Sequence, residues 1–402
     1  MNILMVLDNE FTGDLRVENE VMSLSQAGHK IYVLCFNHGT KEAHEDFHGA
    51  KIIRIPISLF RKNKMKGFTS TIIDPYTPYW AGKIVPIVKK YDIQALHMHD
   101  LYMLGAAFLA QKRLKYPIPI IGDLHENYPE ALKHYQFTKK FPGKYLISIK
   151  KWEKTEIEWI KKADFAITVI EEAVERYVKL GIAKEKLKVV ANYVNEDEFL
   201  NVENDPTITS KFKDNYVLTY AGGFDLHRGL ESVIKSLPLV KEKIPELKLV
   251  LIGDGRTSQQ LKELVEKLNV SSMVSFEGWQ APQKLPAYLS ISNAGLIPHL
   301  KTKHTDNTIP HKLFQYMLLQ KPVIATNCDP LVRILNSSRA GLIYESNQEE
   351  DLAQQIIRLH QNDEMATEMG INGKKAVIDQ YNWNSTAQNL IHLYQQVEKT
   401  IN

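Results

Sequence analysis

The sequence predicts an α/β protein of two doubly wound, Rossmann-like domains facing each other across a cleft. Three observations carry this expectation. Short apolar runs of strand length alternate with amphipathic helical stretches along most of the 402 residues, a pattern that implies βαβ units and parallel sheets covered by helices on both faces. The alternation stops once, near residues 190–215, and then restarts. The composition, 44% hydrophobic and 24% charged, is ordinary for a soluble globular chain and excludes disordered, collagen-like and disulfide-stapled classes.

In the first domain, expected over residues 1–192, the strand-like runs are Asn2–Leu7, Ile31–Phe36, Lys51–Pro56, Ala95–Met98, Ile118–Gly122 and Phe165–Val169. Asp14–Ala27 and Leu101–Lys115 are helical between them. A polar stretch containing Asn192, Asn195, Glu196, Asp197, Glu198, Asn204, Asp205 and Pro206 has a linker's composition. The second domain, expected over 193–382, restarts the alternation with Tyr216–Tyr220, Leu247–Ile252, Met273–Phe276, Gly295–Ile297 and Val323–Ala325. The segment 383–402 is helical, follows no further strand, and is expected to pack back onto the first domain.

Fifty basic against 47 acidic side chains leave a net charge of +3, which argues against a nucleic-acid partner. Cys35 and Cys328 lie far apart and read as reduced thiols, and no Cys/His cluster has zinc-ligand spacing, so no metal is expected. The apolar N-terminus lacks a basic region and a cleavage site, so it reads as a first strand rather than a signal peptide. The longest apolar run, Leu101 to Ala110, is half of the roughly 20 residues that span a bilayer. A cytoplasmic protein is expected, at most touching the inner face of a membrane.

In open α/β sheets, ligands bind beyond the carboxyl ends of strands. Three segments of the second domain meet that test. In Tyr220–Leu230, a strand ends in the Gly222-Gly223 turn and a helix is expected near Arg228. Glycines admit a phosphate close to the backbone, helix N–H groups attract anions, and a guanidinium forks onto phosphate oxygens. The alternative is a plain turn with a solvated arginine. In Leu251–Arg256, Gly253 and Gly255 suit a tight turn against a flat ring. In Asp306–Met317, Pro310 is expected at the first position of a helix capped by Thr308 or Ile309, with Gln315 further in.

Taken in order, these segments resemble the donor-binding half of a retaining GT-B glycosyltransferase of family 4 (GT4), the glycosyl transferases of group 1. Asn192–Asn195, Phe276–Trp279 and Ala294–Pro298 match it as well, so the likeness runs along nearly the whole chain. The resemblance implies a GT-B fold, a nucleotide diphosphate sugar as donor and a carbohydrate or lipid-linked hydroxyl as acceptor. It assigns donor binding to Gly13, Gly222, Gly223, Gly253, Asn307, Thr308, Ile309 and Gln315, and catalysis to His125, Arg228 and Lys312. No cofactor or metal is implied, because protein cations stabilise the leaving phosphate. The family carries two glutamates with seven residues between them, where this chain has the amides Asn307 and Gln315. The charge-assisted strength of a carboxylate grip on the donor is lost there.

On the acceptor side, the resemblance implicates Asp14, Arg16 and Glu20 after the first strand; it places His125, in Asp123–Glu130 after another strand, against the donor sugar. Arg16 and Glu20, four apart, share a helix face and read either as site-lining or as a solvated ion pair. In His97-Met98-His99-Asp100 the two histidines are expected on opposite strand faces, His99 toward ligand and His97 in packing. Two basic groups, Arg61–Lys66 and Lys139, Lys140, Lys144, Lys150 and Lys151, the second running into a helix with Tyr145, Trp152 and Trp159, suggest peripheral contact with an anionic membrane. The competing functions are a nucleotide-sugar epimerase and a non-catalytic partner subunit, the latter motivated by Asn307 and Gln315.

Overall fold

The computed structural model describes all residues except 40, 70–73, 135, 140–142, 197–198, 200–204 and 402. The expected linker residues Asp197, Glu198 and Asn204, and Lys140 of the second basic group, lie outside the described residues. The chain forms two compact units, residues 1–191 with 386–402, and residues 192–385.

The first unit holds an eight-stranded sheet in the order β3-β4-β2-β1-β5-β6-β7-β8. Its strands are β1 (Asn2–Val6), β2 (Lys30–Asn37), β3 (His44–Phe47), β4 (Ala50–Pro56), β5 (Ala95–His99), β6 (Ile120–Leu124), β7 (Phe165–Thr168) and β8 (Leu187–Val189). Every pairing is parallel except β3 with β4. The central strands are covered on both faces and therefore read as continuous apolar runs, as in Ile3 to Val6. β3, the polar His44-Glu45-Asp46-Phe47, sits at the sheet edge and pairs antiparallel, so the sheet is not purely parallel as the alternation predicted. It and β8 escaped sequence reading because short edge strands need no apolar run. The chain adds β2 and β4 on one side of β1, then crosses to place β5 on the other. That crossover is a topological switch point, where ligands bind.

The second unit holds a six-stranded parallel sheet in the order β11-β10-β9-β12-β13-β14. The strands are β9 (Tyr216–Ala221), β10 (Leu247–Ile252), β11 (Val274–Gly278), β12 (Ala294–Ile297), β13 (Val323–Thr326) and β14 (Gly341–Tyr344). Its switch point lies between β9 and β12. Both sheets are doubly wound, as the sequence predicts.

The helices that bear on the sites are α1 (Leu15–Gln26), α2 (Leu59–Lys66), α3 (Ile149–Lys162), α4 (Leu230–Val240), α5 (Lys312–Leu318) and α6 (Trp383–Ile401). Asp14 caps α1 by accepting from Val17 N. α6 supplies Leu390, Leu393, Tyr394 and Val397 to buried positions, and Tyr394 Oη lies 2.8 Å from His97 Nδ1 of the first unit. The aromatic side of α3 turns into the core rather than outward. Trp152 packs 4.9 Å from Tyr128 and 5.8 Å from Trp159, so Trp152 is a core residue rather than a membrane anchor, while Tyr145, ahead of the helix, is exposed. No helix among the described residues is long and apolar enough to cross a membrane.

Candidate active-site clusters

The second unit gathers four segments at the carboxyl ends of β9, β10 and β12. After β9 the chain turns through Gly222, whose φ of +143° only glycine adopts easily. A Cβ on Gly253, after β10, would meet the Gly222 carbonyl at 2.0 Å, so the two glycine loops pack backbone to backbone. Arg228 ends a short 3-10 turn, Leu226–Arg228, and α4 begins only at Leu230, after the left-handed Gly229. The expected helix start at Arg228 therefore moves two residues on. A Cβ on Gly229 would meet the Pro298 carbonyl at 1.8 Å, which locks the Arg228 loop against the end of β12.

Across that contact, Arg228 Nη1 donates to His299 Nε2 at 3.0 Å, while Arg228 Nε is buried with no hydrogen-bond partner among the described residues. Burial, followed by Lys312 and Arg228, holds His299 well below its ordinary pKa, so it is neutral and accepts from Arg228. Lys312 opens α5. Its ammonium is buried, has no hydrogen-bond partner among the described residues, and lies 3.7 Å from the Tyr220 ring centroid. It is also 2.8 Å from where a Gly222 Cβ would stand. Burial and then Arg228 push Lys312 well below the usual lysine pKa. A buried cation facing a second cation, with nothing to bond, is costly unless an anion joins them.

The other residues expected to bind donor are placed less closely. α5 begins at Lys312, with His311 as its cap, so Pro310 is not its first residue. Pro310 instead supplies the first carbonyl of the opening turn, accepting from Leu313 N at 3.1 Å. Thr308 is extended, its hydroxyl 3.4 Å from the His304 carbonyl, and Ile309 is buried. Asn307 donates its amide to the Lys303 carbonyl at 2.8 Å, and Gln315 is half-buried on α5. Gly223 is exposed, and its carbonyl accepts from Tyr220 Oη at 2.9 Å.

The first unit centres on Asp123, which no sequence signal had singled out. At the end of β6 it is fully buried. Arg16 grips it through Nη2 on Oδ1 at 2.7 Å and Nε on Oδ2 at 3.2 Å. Arg16 also reaches the Val190 carbonyl at 2.8 Å and Glu20 at 3.1 Å. His125 Nε2 lies 3.0 Å from Asp123 Oδ2 and 3.2 Å from His99 Nδ1. Burial alone would raise Asp123, but Arg16 and then His125 hold it well below the carboxylate range. Burial alone would lower His125, but Asp123 and Asp100 raise it to about 9. Glu20 is pushed well above its ordinary value by burial and by Asp123. Burial drops His99 to about 4 and lowers His97.

Two expectations are corrected here. His97 and His99 share one face, their rings stacked at 4.7 Å, because residues two apart on a strand point the same way. Arg16, Glu20 and His99 are enclosed rather than solvated or turned to an acceptor, because the inner face of α1 packs on the strand ends. Of this group, only His125 keeps a side chain 23% exposed. Asp14 caps α1, and the Gly13 amide, at φ +97°, donates to Glu18 Oε1 at 2.7 Å.

Part of the first basic run also turns inward. Lys66 pairs with Asp8 at 2.9 Å and sits 3.9 Å over the Tyr102 ring, and Lys62 reaches Asn9 at 3.4 Å. Asp8 also accepts from Tyr76 at 2.9 Å and from Tyr102 at 2.8 Å, at the β1–β5 switch point.

Comparison with known proteins agrees with this architecture. The family model described as glycosyltransferase family 4 matches residues 16–198, and that described as glycosyl transferases group 1 matches residues 201–376. An uncharacterized glycosyltransferase of Methanocaldococcus jannaschii is 27% identical over 262 residues, 61% of this chain and 58% of that protein. The chain spans about three-fifths of the length of the first curated relatives it matches. Among solved structures, sucrose-phosphate synthase from Thermosynechococcus elongatus superposes with a TM-score of 0.78 at 17% identity, covering 100% of both chains. Anabaena HepE in complex with UDP does so at 0.74 and 14%, covering 98% of this chain and 100% of that one.

Proposed function

Because the chain belongs to the group 1 glycosyltransferases, we propose that it moves a sugar from a nucleotide diphosphate sugar to a hydroxyl acceptor with retention of configuration. The observation that carries the donor half is the unpartnered Lys312 ammonium beside Arg228 and the Gly222 turn. A diphosphate is the ligand that satisfies a buried ammonium and a half-buried guanidinium at a glycine-lined strand end. The UDP complex of Anabaena HepE supports a uridine nucleotide as the first to try.

In this proposal the bond between the sugar anomeric carbon and the β-phosphate oxygen breaks. Lys312 and Arg228 stabilise the charge that develops on that oxygen, without a metal ion. The acceptor oxygen bonds to the anomeric carbon on the same face, and its proton passes to the leaving phosphate. Asp123 holds in place His125, the residue that the resemblance assigns to the donor sugar. Asn307 and Gln315 bind donor hydroxyls as neutral groups. The product belongs to cell-surface polysaccharide or glycolipid synthesis.

Calorimetry with UDP, GDP, ADP and dTDP tests the donor half. At least one should bind, and Lys312→Met should abolish that binding. Binding of none would overturn the donor assignment and favour the non-catalytic partner reading that the amides at 307 and 315 raise. Product analysis with and without acceptor separates transfer from epimerisation, which needs none.

Membrane contact belongs to the same proposal, carried by exposed Leu59 and Phe60 beside Arg61 and Lys64 on α2. The chain should co-float with anionic liposomes at low salt, and Phe60→Asp should release it. A wild-type chain that stays in the unbound fraction ends this part of the proposal.

A further inference from the structure

We propose that Glu20, His97, His99 and Asp123 form a closed structural site for a divalent transition metal, with zinc the best-matched ion. The sequence, read alone, pointed to no metal, because the donors come from α1, β5 and β6, more than a hundred residues apart at the extremes. His-x-His in β5 was the only local sign.

Each of the four brings one donor atom to within 4.8 Å of the other three. His97 Nε2 is 3.6 Å from Glu20 Oε2 and 3.7 Å from Asp123 Oδ2, and His99 Nδ1 is 3.3 Å from Asp123 Oδ2. A tetrahedral ion with bonds of about 2.1 Å holds its donors about 3.4 Å apart. The two longer contacts are poor hydrogen bonds but close to tetrahedral edges. The donor set, two imidazoles and two carboxylates, suits zinc rather than calcium or magnesium.

A second, independent observation points to a ligand. Glu20 Oε2 and His97 Nε2, the two atoms that face each other at 3.6 Å, are buried with no hydrogen-bond partner among the described residues, whereas His99 Nδ1 also lies 3.2 Å from His125 Nε2. Such groups are costly when left unpaired. Outer-shell support is also present. Tyr394 Oη holds His97 Nδ1 at 2.8 Å, and Arg16 holds Glu20 Oε1 at 3.1 Å and Asp123 Oδ1 at 2.7 Å. Two groups oppose the ion. Arg16 brings a like charge, and Asp123 Oδ2 is shared with Arg16 Nε at 3.2 Å and His125 Nε2 at 3.0 Å.

All four side chains are enclosed, so no coordination position opens to substrate, and the ion's role is to clamp α1 to the ends of β5 and β6. Asp123, the residue that holds His125, is one of the clamped groups.

The test uses the full chain, stripped with chelator and then dialysed against zinc. Elemental analysis should find one zinc per chain, and cobalt in its place should show the visible bands of a tetrahedral site. His97→Gln with His99→Gln should weaken zinc retention by more than about tenfold. Should that variant fail to fold, the cobalt spectrum of the wild-type chain decides. A folded wild-type chain that retains no zinc, an octahedral cobalt spectrum, or zinc held equally by the folded double variant would each overturn the site.

Discussion

At the residue scale, Lys312 links charge to both stability and ligand binding. Its folded pKa lies well below the unfolded lysine value of 10.5, so between the two the folded protein holds fewer protons than the unfolded chain. Stability of the ligand-free protein therefore rises as pH rises toward 10.5 and falls as pH drops through that window. Lys312→Met should remove this contribution, so melting curves of variant and wild type should diverge most at the low end of the window. A bound diphosphate raises the Lys312 pKa again, so binding at a pH between the ligand-free and liganded values should take up a proton, seen as a dependence of the wild-type calorimetric enthalpy on buffer. Arg228→Ala should lower turnover by about 10²–10³, the usual effect of removing one preorganised donor, with little change in melting temperature. Activity equal to wild type would reject its role. Gly222, Gly253 and Arg228 were legible because special φ values and strand-end positions leave local marks. Asp123 and His299 were not, because their neighbours arrive from other segments.

At the element scale, loop-to-loop packing holds the proposed donor site together. Gly229→Ala would drive a Cβ into the Pro298 carbonyl, at a left-handed φ of +69°. It should separate the Arg228 and His299 loops, weakening diphosphate binding and costing more than about 1 kcal/mol of stability in urea titration. A variant that binds as tightly as wild type would show that this contact does not position Arg228. The strand-like runs were legible wherever both faces are buried, and Leu247–Ile252 matches to the residue. β3, β8 and β14 were missed because they are short edge strands with partly exposed residues and so form no continuous apolar run. The aromatic content of α3 misled for a related reason: sequence shows that a helix is amphipathic, but not whether its aromatic side meets lipid or core.

At the scale of the whole molecule, the first unit is built from both ends of the chain. Leu390, Leu393, Tyr394 and Val397 are fully buried in it, at about 1.5–3 kcal/mol per side chain. Truncation before residue 386 should therefore cost a large share of the typical 5–15 kcal/mol of domain stability. The truncated chain should aggregate or lose cooperative melting, whereas Tyr394→Phe, which deletes only the hydroxyl on His97, should cost about 1 kcal/mol. A soluble, cooperatively melting truncation would mean that α6 is dispensable to that core.

Periodicity and glycine placement, both local properties of a chain, were enough to establish two doubly wound sheets, the break between them and the glycine turns at the strand ends. Strand order is not local. The crossovers that set β5 beside β1 and β12 beside β9 brought Glu20, His97, His99 and Asp123 into one buried cluster, and Arg228 against His299 near Lys312. Charges separated by tens or hundreds of residues acquire their partners, and their pKa shifts, only when the sheet assembles and water is excluded from between them.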